Sequence, residues 1–340
     1  MTDHLLQVEN LRVHFKTYGG EVQAVRGVTF HVDRGETVAV VGESGCGKSV
    51  TAQAIMGLIP NPPGRIVDGK ITFDGKSITE MSKSELLAVR GSEIGMVFQD
   101  PMTALNPTMK VGRQIVEGFV RTHNVSKEEA RKKAIEMLRL VGIPDPEKRV
   151  DQYPHEFSGG MRQRVVIAIA LANTPKLVIA DEPTTALDVT IQAQILDLLR
   201  ELQEKQQLSI VIITHDLGVV AEIAHRAVVM YAGVVVETGT VEDIFASPKH
   251  PYTWGLMRSL PRIDGTEKER LVPIVGSPPD LFDPPKGCPF AARCQFAMEI
   301  CEQQMPSVTD FENGHQAICW LHDSRAPKID ELVAAGRQAG

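Results

Sequence analysis

The sequence predicts an α/β protein built around a parallel sheet, and three observations support this fold class. Residues 42–49 fit the pattern G-x-x-x-x-G-K-[ST]. An apolar run at residues 177–180 leads directly into Asp181 and Glu182. Strand-like and helical segments alternate through residues 176–245, as they do where strands pair in parallel.

The glycine-rich pattern lies between a predicted strand, residues 37–41, and a helical segment, residues 49–58. Backbone N–H groups of such a loop surround phosphates, and the N-terminus of the following helix favours negative charge. The glycine order differs from the dinucleotide pattern G-x-G-x-x-G, and the context argues against a flexible surface turn. We expect Lys48 to reach the β- and γ-phosphates of ATP and the Ser49 hydroxyl to bind Mg²⁺. The predicted ATP-binding residues of the loop are Gly42, Glu43, Ser44, Gly45, Cys46, Gly47, Lys48 and Ser49.

Cys46 is a cysteine within this loop. A helix N-terminus lowers the pKa of a nearby thiol, so the sequence predicts a reactive thiol that ATP protects. The alternative is a small side chain that the loop merely tolerates.

Asp181 and Glu182 are predicted at the carboxyl end of a buried parallel strand, where ligands bind in open α/β sheets. Two adjacent carboxylates both ionise if a cation is near. We expect Asp181 to hold Mg²⁺ and Glu182 to act as general base for the attacking water. An acidic pair that caps a helix before Pro183 is the alternative.

Two further candidate sites lie next to predicted elements, one before a helix and one after a strand. Ser158, Gly159 and Gly160 precede a helical run, residues 161–172, and the two glycines let the backbone approach a phosphate. The same tripeptide could be an ordinary helix N-cap. His215 follows a predicted strand, residues 209–213; a core histidine is the alternative to a functional one.

Together these motifs resemble the ATPase subunit of an ABC transporter, over about residues 5–325. The resemblance implies a RecA-like core, an antiparallel β subdomain and a helical subdomain at about residues 105–172. It implies that two ATPase domains dock head to tail, so that each ATP lies between the phosphate loop of one and the signature residues of the other. Phe157 and Met161 depart from the usual Leu-Ser-Gly-Gly-Gln signature. The signature residues here are Ser158, Gly159, Gly160 and Met161.

The same resemblance assigns the remaining roles. Gln99, Glu182 and His215 are the expected catalytic residues, and Gln99 and His215 also contact ATP. Gln99 joins Ser49 and Asp181 around Mg²⁺, and Asp188 communicates across the dimer. Phe15 is the expected adenine-stacking aromatic, with Tyr18 as the alternative.

The composition excludes several partners. The chain has 340 residues, 43% of them apolar, and a net charge of −7 from 36 basic and 43 acidic residues. No basic block stands out, so we expect no nucleic-acid partner. The N-terminal residues lack the pattern of a secretory signal, and the longest apolar run, residues 227–236, is shorter than a membrane span. We therefore expect a cytoplasmic subunit that reaches the membrane through partners.

Four of the five cysteines follow the spacing C-x5-C-x6-C-x17-C: Cys288, Cys294, Cys301 and Cys319. A cytoplasmic location argues against disulfides. Zinc sites usually contain closely spaced cysteine pairs, which are missing here, so the spacing favours a [4Fe–4S] cluster. Zn²⁺ and four metal-free core thiols stay open as alternatives.

The C-terminal part sharpens the resemblance. The chain resembles the ATPases of oligopeptide and dipeptide permeases at residues 154–164, 250–253 and 287–294. Some members of that family carry a cluster on the cysteines that match these four. We therefore expect an ATPase domain at residues 1–260, a linker near residues 262–270 and a cysteine-rich extension at residues 261–340.

The family implies ATP-driven uptake of oligopeptides or dipeptides at the cytoplasmic face of the cell membrane. The implied partners are a second homologous ATPase subunit, two transmembrane permease subunits and an extracytoplasmic peptide-binding protein. An importer of nickel or another small solute is one alternative. A soluble, non-transport ABC ATPase is another, although the tandem halves or long coiled coils typical of that class are not evident.

Overall fold

The computed structural model describes residues 4–185, 187–259 and 273–328. The strands are β1 (Leu6–Thr17), β2 (Gly20–Val32), β3 (Thr37–Val41), β4 (Gly64–Phe73), β5 (Lys76–Ser77), β6 (Ile94–Val97), β7 (Leu177–Asp181), β8 (Ser209–Thr214), β9 (Arg226–Tyr231), β10 (Val234–Thr240), β11 (Thr309–Asp310) and β12 (Gln316–Ala317).

The α-helices are α1 (Lys48–Ile55), α2 (Lys83–Ser92), α3 (Pro101–Ala104), α4 (Val111–Ile115), α5 (Glu117–His123), α6 (Lys127–Leu140), α7 (Pro146–Arg149), α8 (Gly159–Leu171), α9 (Val189–Gln206), α10 (Leu217–Ile223), α11 (Val241–Ala246), α12 (Pro251–Arg258) and α13 (Glu299–Gln303). Short 3-10 turns lie at Ile78–Glu80, Pro154–Glu156, Ala291–Arg293, Glu312–Gly314 and Trp320–His322.

Two sheets organise these elements. The larger has the strand order β11-β12-β10-β9-β3-β8-β7-β6, and its strands from β9 to β6 are parallel. The smaller is antiparallel, with the order β2-β1-β4-β5. The predicted α/β class and parallel sheet are therefore confirmed.

The parallel strands are buried on both faces, which explains their continuous apolar sequences. In β3, Ala39 and Val41 point into one core cluster, while Val38 and Val40 point into the other. The first cluster contains α4, α6, α8 and α9; the second lies against the antiparallel sheet and α1. The parallel strands are thus held between two apolar layers, and their polar residues lie at the strand ends.

A series of helices, α3 to α8, occupies the chain between β6 and β7. The sequence Ser-Lys-Glu-Glu at residues 126–129 predicts a capping box, and the structure contains it. The Ser126 Oγ accepts the Glu129 backbone N–H, and the Glu129 carboxylate accepts the Ser126 N–H. Ala130, Ala134 and Met137 point into the core, as their helical spacing predicts.

The sequence of residues 5–100 predicts short strands around the phosphate loop, and the structure differs from that prediction. The strands β1 and β2 have 12 and 13 residues, and α2 was not predicted. Pairing of β1 with β2 shifts register between Val8 and Leu11, where Asn10 has a φ of 46°. Such irregularities interrupt the apolar–polar alternation by which a long strand is recognised.

Residues 273–328 pack against the larger sheet. There β12 pairs with β10 and β11 pairs with β12, so the C-terminal part extends the sheet. The predicted boundary at residue 260 and the linker at residues 262–270 lie outside the described residues, as does Ala186. Within the described residues, no helix is both long and apolar enough to cross a bilayer.

Candidate active site

The phosphate loop joins β3 to α1 at the carboxyl edge of the parallel sheet. Gly42 has a φ of 153°, and a Cβ there would lie 2.1 Å from the Met230 carbonyl oxygen. Gly47 has a φ of 97°, and its Cβ would lie 2.5 Å from the Ala24 carbonyl oxygen. At Gly45 (φ 79°) nothing lies within 4 Å of the Cβ position. The loop therefore packs tightly against the protein at both ends and is open at Gly45.

Lys48 is buried at the start of α1. Its Nζ donates to the carbonyl oxygens of Gly42 at 2.6 Å and Glu43 at 3.0 Å. The ammonium group thus reaches back across the loop. This is the position from which it can neutralise a bound phosphate.

Ser49 and Asp181 come together as predicted for a magnesium site. The Ser49 hydroxyl donates to Asp181 Oδ1 at 3.0 Å, across from α1 to the end of β7. Burial, and secondarily the neighbouring Glu182 charge, raises the pKa of Asp181. A hydroxyl and a buried carboxylate at this edge are oxygen ligands suited to Mg²⁺.

Gln99, Glu182 and His215 follow the neighbouring strands β6, β7 and β8, and they also meet. Gln99 Nε2 donates to Glu182 Oε2 at 2.9 Å, and His215 Nδ1 lies 3.3 Å from Glu182 Oε1. The backbone holds Glu182 at a φ of 47°, with its N–H bonded to the Ile213 carbonyl oxygen at 2.9 Å. Parallel strands thus deliver three separated motifs to one point.

The Thr185 hydroxyl also donates to Glu182 Oε2, at 2.8 Å. Burial acts to raise the pKa of Glu182, but the hydrogen bonds from Thr185 and His215 outweigh it, and the pKa falls below its usual value. The carboxylate is therefore ionised at neutral pH and able to accept a proton. We did not predict the role of Thr185.

Ser158 caps α8, accepting the Met161 backbone N–H at 3.4 Å. Ser158 and Gly159 are exposed, and nothing lies within 4 Å of a Cβ built on Gly159. Gly160 packs against Ile191, because a Cβ built on Gly160 would lie only 2.7 Å from Ile191 Cγ2. Asp188 caps α9 by accepting the Ile191 N–H at 3.0 Å, so Asp188 lies near the same helix tip.

The two candidate aromatic residues have different surroundings. The Phe15 ring is partly buried, and a Cβ on Gly64 would meet it at 2.7 Å. Tyr18 lies in the turn between β1 and β2 and is fully exposed. Phe15 therefore contributes to packing of the antiparallel sheet, while the Tyr18 ring is open to a ligand.

The expected low pKa of Cys46 is wrong. The side chain is only 4% exposed, and burial raises the pKa of the thiol above its usual value. Its Sγ would lie 2.8 Å from a Cβ on Gly42, so it packs behind the loop. The desolvation of a thiolate here outweighs the favourable field of the helix.

The four C-terminal cysteines line one pocket, together with His250, Phe290 and Phe296. Burial raises the pKa of Cys288 and Cys294 to about 11 and that of Cys319 to about 12. The nearby thiols add to the shift at each of these three. The predicted set of ligands therefore converges, although the chain separates Cys288 from Cys319 by 30 intervening residues.

Sequence reasoning assigned no chemistry to Tyr252 and did not single out Arg293, yet both contact the phosphate loop. The Glu43 N–H donates to the Tyr252 hydroxyl at 2.9 Å. The Arg293 guanidinium binds both Glu43 carboxylate oxygens, at 2.7 and 3.0 Å. Tyr252 and Arg293 are far from Glu43 along the chain, so no local sequence pattern indicates these contacts.

Comparisons with known proteins agree with this geometry. The family profile described as ABC transporter matches residues 25–185, and the profile described as oligopeptide/dipeptide transporter, C-terminal region, matches residues 236–301. The oligopeptide transport ATP-binding protein OppD of Bacillus subtilis is 61% identical over 326 residues, 96% of this chain and 91% of the relative. The dipeptide transport ATP-binding protein DppD of the same organism is 57% identical over 324 residues, 95% of this chain and 96% of the relative.

Among solved structures, a dimeric post-hydrolysis state of the ATP-binding cassette MJ0796 bound to ADP and Pi is similar, with a TM-score of 0.63. It is 29% identical and covers 69% of this chain and 98% of that chain. The fold and site therefore define an ABC-type ATPase. The chain belongs to the ABC transporter family, within its oligopeptide and dipeptide transport ATP-binding proteins.

We expect native Cys46 to react slowly with iodoacetamide near neutral pH. Because burial raises its pKa, the thiolate fraction stays small until the pH exceeds the usual thiol pKa, and the side chain is also shielded. Peptide mass spectrometry should show labelling of Cys46 in guanidinium chloride but little in native protein. Rapid native labelling that ATP suppresses would instead restore the expectation of a reactive thiol.

Proposed function

We propose that this chain is the ATP-hydrolysing subunit of an ABC importer that couples ATP binding and hydrolysis to uptake of oligopeptides or dipeptides. The observation that carries the enzymatic part is the meeting of Gln99, Glu182 and His215 beside the Ser49–Asp181 pair. Similarity to peptide-transport ATP-binding proteins along nearly the whole chain supports the substrate class.

In the proposed reaction, Glu182 accepts a proton from the water that attacks the γ-phosphate. Gln99 and Thr185 hold Oε2 of this carboxylate, which leaves Oε1 facing His215. His215, whose side chain is 61% exposed, contacts the γ-phosphate. Positioning of the water and stabilisation of charge are the main contributions that a protein makes to phosphoryl transfer.

Ser49, Gln99 and Asp181 would hold Mg²⁺, which would neutralise the negative charge that develops on the phosphates. The existing Ser49–Asp181 hydrogen bond fits this assignment, because both oxygens already face one another. Lys48 and the loop N–H groups bind the phosphates from the opposite side. Tyr18 is better placed than Phe15 to stack on the adenine, since its ring is exposed.

The α8 tip supports an ATP site shared between two ATPase subunits. Its exposed Ser158 and Gly159 leave backbone N–H groups at a helix N-terminus, which suits a phosphate of the facing subunit. Met161, the last of the signature residues, is the third residue of α8. Asp188 would pass changes at the tip to α9, through the Ile191 contact with Gly160.

The proposed assembly contains a second homologous ATPase subunit, two transmembrane permease subunits and an extracytoplasmic peptide-binding protein. This chain would lie at the cytoplasmic face of the membrane and reach it through the permease. We propose that the helices α3 to α8 contact the permease. Gln99 follows β6 immediately before these helices and donates to Glu182, so it would connect the catalytic carboxylate to that surface.

We further propose a [4Fe–4S] cluster on Cys288, Cys294, Cys301 and Cys319. Within residues 4–185, 187–259 and 273–328, only His4, His31 and Asp33 form a three-residue set whose ligand atoms all lie within 4.8 Å. No three of the cysteine sulfurs are that close. A single zinc ion, with Zn–S bonds of about 2.3 Å, needs sulfurs that lie closer to one another than 4.8 Å. A [4Fe–4S] cluster binds each thiolate at a different iron, so its cysteine sulfurs are farther apart.

His250 provides a test of this fit. The Tyr252 N–H donates to His250 Nδ1 at 3.0 Å, which leaves the ring proton on Nε2. This Nε2 is buried without a hydrogen-bond partner in the described part of the chain, and His250 lines the cysteine pocket. A buried donor without a partner is costly, and the sulfur atoms of a bound cluster would satisfy it.

Substitution of Glu182→Gln should abolish ATP turnover and peptide uptake while ATP binding persists. Glutamine keeps one oxygen that can accept from Gln99 and Thr185, but it cannot take up the proton, so the closed nucleotide-bound dimer should accumulate. ATPase assays, uptake of labelled peptide and analytical ultracentrifugation measure these effects, with exposed Glu201→Gln on α9 as the control. ATP turnover by this variant within about twofold of wild type would show that Glu182 is not the general base.

Anaerobic purification should yield about four iron and four sulfide per chain, as expected for one [4Fe–4S] cluster. Cys319→Ser should lose most of this content. Cys46→Ser is the matched control, because its thiol lies outside the pocket. Stoichiometric zinc, or protein without metal, would overturn the cluster assignment and leave the ATPase proposal intact.

A further inference from the structure

The phosphate loop contacts the C-terminal part of the chain at Glu43. The Arg293 side chain is only 6% exposed and forms a two-pronged ion pair with the Glu43 carboxylate. About 250 residues of sequence separate the partners. Nothing in the established role of the loop requires an arginine from outside the ATPase core.

All five N–H donors of Arg293 are used. Besides Glu43, Nη1 donates to the Tyr231 hydroxyl at 3.1 Å, Nη2 to the Ile274 carbonyl oxygen at 3.1 Å, and Nε to the Val275 carbonyl oxygen at 3.1 Å. A guanidinium has five N–H donors, which are arranged in a rigid planar fork. The side chain is therefore fixed at both ends: to the C-terminal backbone and to the loop.

Glu43 is fixed on its backbone as well. Its N–H donates to Tyr252 at 2.9 Å, and its carbonyl oxygen accepts from Lys48 Nζ at 3.0 Å. Tyr231, Tyr252 and Phe290 pack with ring centroids 4.7 to 5.4 Å apart and support these contacts. The loop residue that holds Lys48 is thus itself held from the C-terminal side.

We propose that Arg293 is a positioning residue for ATP binding: by clamping Glu43, it holds the first half of the phosphate loop and Lys48 in the shape that receives phosphates. The part of the loop around Ser44 and Gly45 is exposed and lacks such packing. The Arg293 clamp therefore fixes Glu43, the residue that directly precedes this exposed segment. A preorganised loop binds its ligand more tightly, because less order is lost on binding.

The clamp involves only residues of this chain and does not depend on the proposed cluster. Arg293 directly precedes Cys294, so the same short turn, Ala291–Arg293, lies between the cysteine pocket and the phosphate loop.

The test is nucleotide binding to the full-length chain, followed with a fluorescent ATP analogue. Arg293→Met removes the fork with little change in length, and we expect the Kd to rise roughly tenfold. Arg293→Lys should fall between this variant and wild type, because one ammonium cannot replace the fork. Arg325→Met is the matched control, since its ion pair with Asp323 is exposed and within the C-terminal part.

Two further readouts separate positioning from general stability. In the assembled transporter, Arg293→Met should raise KM for ATP while kcat at saturating ATP stays within about twofold. Glu43→Gln, which leaves the C-terminal part untouched, should weaken binding in the same direction. The double variant should be no weaker than the weaker single variant, as two partners of one contact require.

A Kd within twofold of wild type for folded Arg293→Met would overturn the proposal. So would fully additive effects of Glu43→Gln and Arg293→Met. If Arg293→Met fails to fold, unchanged nucleotide affinity of Glu43→Gln would overturn it equally.

Discussion

The whole structure depends on bringing negative charge together at one edge of a parallel sheet. Asp181 and Glu182 are adjacent carboxylates, and burial acts to raise the pKa of both. A triphosphate at the same edge adds more negative charge. Lys48, the N-terminus of α1 and a magnesium ion supply the opposing charge, so the motifs have to meet in space. The sheet order β3-β8-β7-β6 places them side by side.

The conformation of the phosphate loop is not determined by the residues of the loop alone. Its glycines are packed against carbonyl oxygens from β2 and β9, and Glu43 is bound by Tyr252 and Arg293. The conformation of the loop therefore depends on chain segments that fold around it from both directions. The C-terminal part contributes directly to the site, besides lining the cysteine pocket.

Much of this could be predicted from sequence because the relevant signals are local. The apolar runs before residue 42 and before Asp181 identified buried strands, and the spacing after Ser126 identified α6. The roles of Gln99 and His215 were expected only from the resemblance to ABC transporter ATPases. The sheet explains why they meet Glu182, because parallel strands end at one edge.

The rest could not be predicted, because it depends on tertiary packing. Cys46 was expected to be reactive from its place near a helix N-terminus, but burial decides its pKa. The long strands β1 and β2 were hidden by register shifts. The Arg293–Glu43 contact has no sequence signature, since charge pairs at such separation are set by the fold alone.

The central claim is that the triphosphate lies between the phosphate loop of one subunit and the α8 tip of another. An ATP analogue with a photoreactive group on its γ-phosphate tests it directly, with labelled peptides identified by mass spectrometry. We expect the peptide containing Ser158 to be labelled in the assembled pair of ATPase subunits but not in the isolated subunit. Equal labelling of that peptide in the isolated subunit would contradict the account.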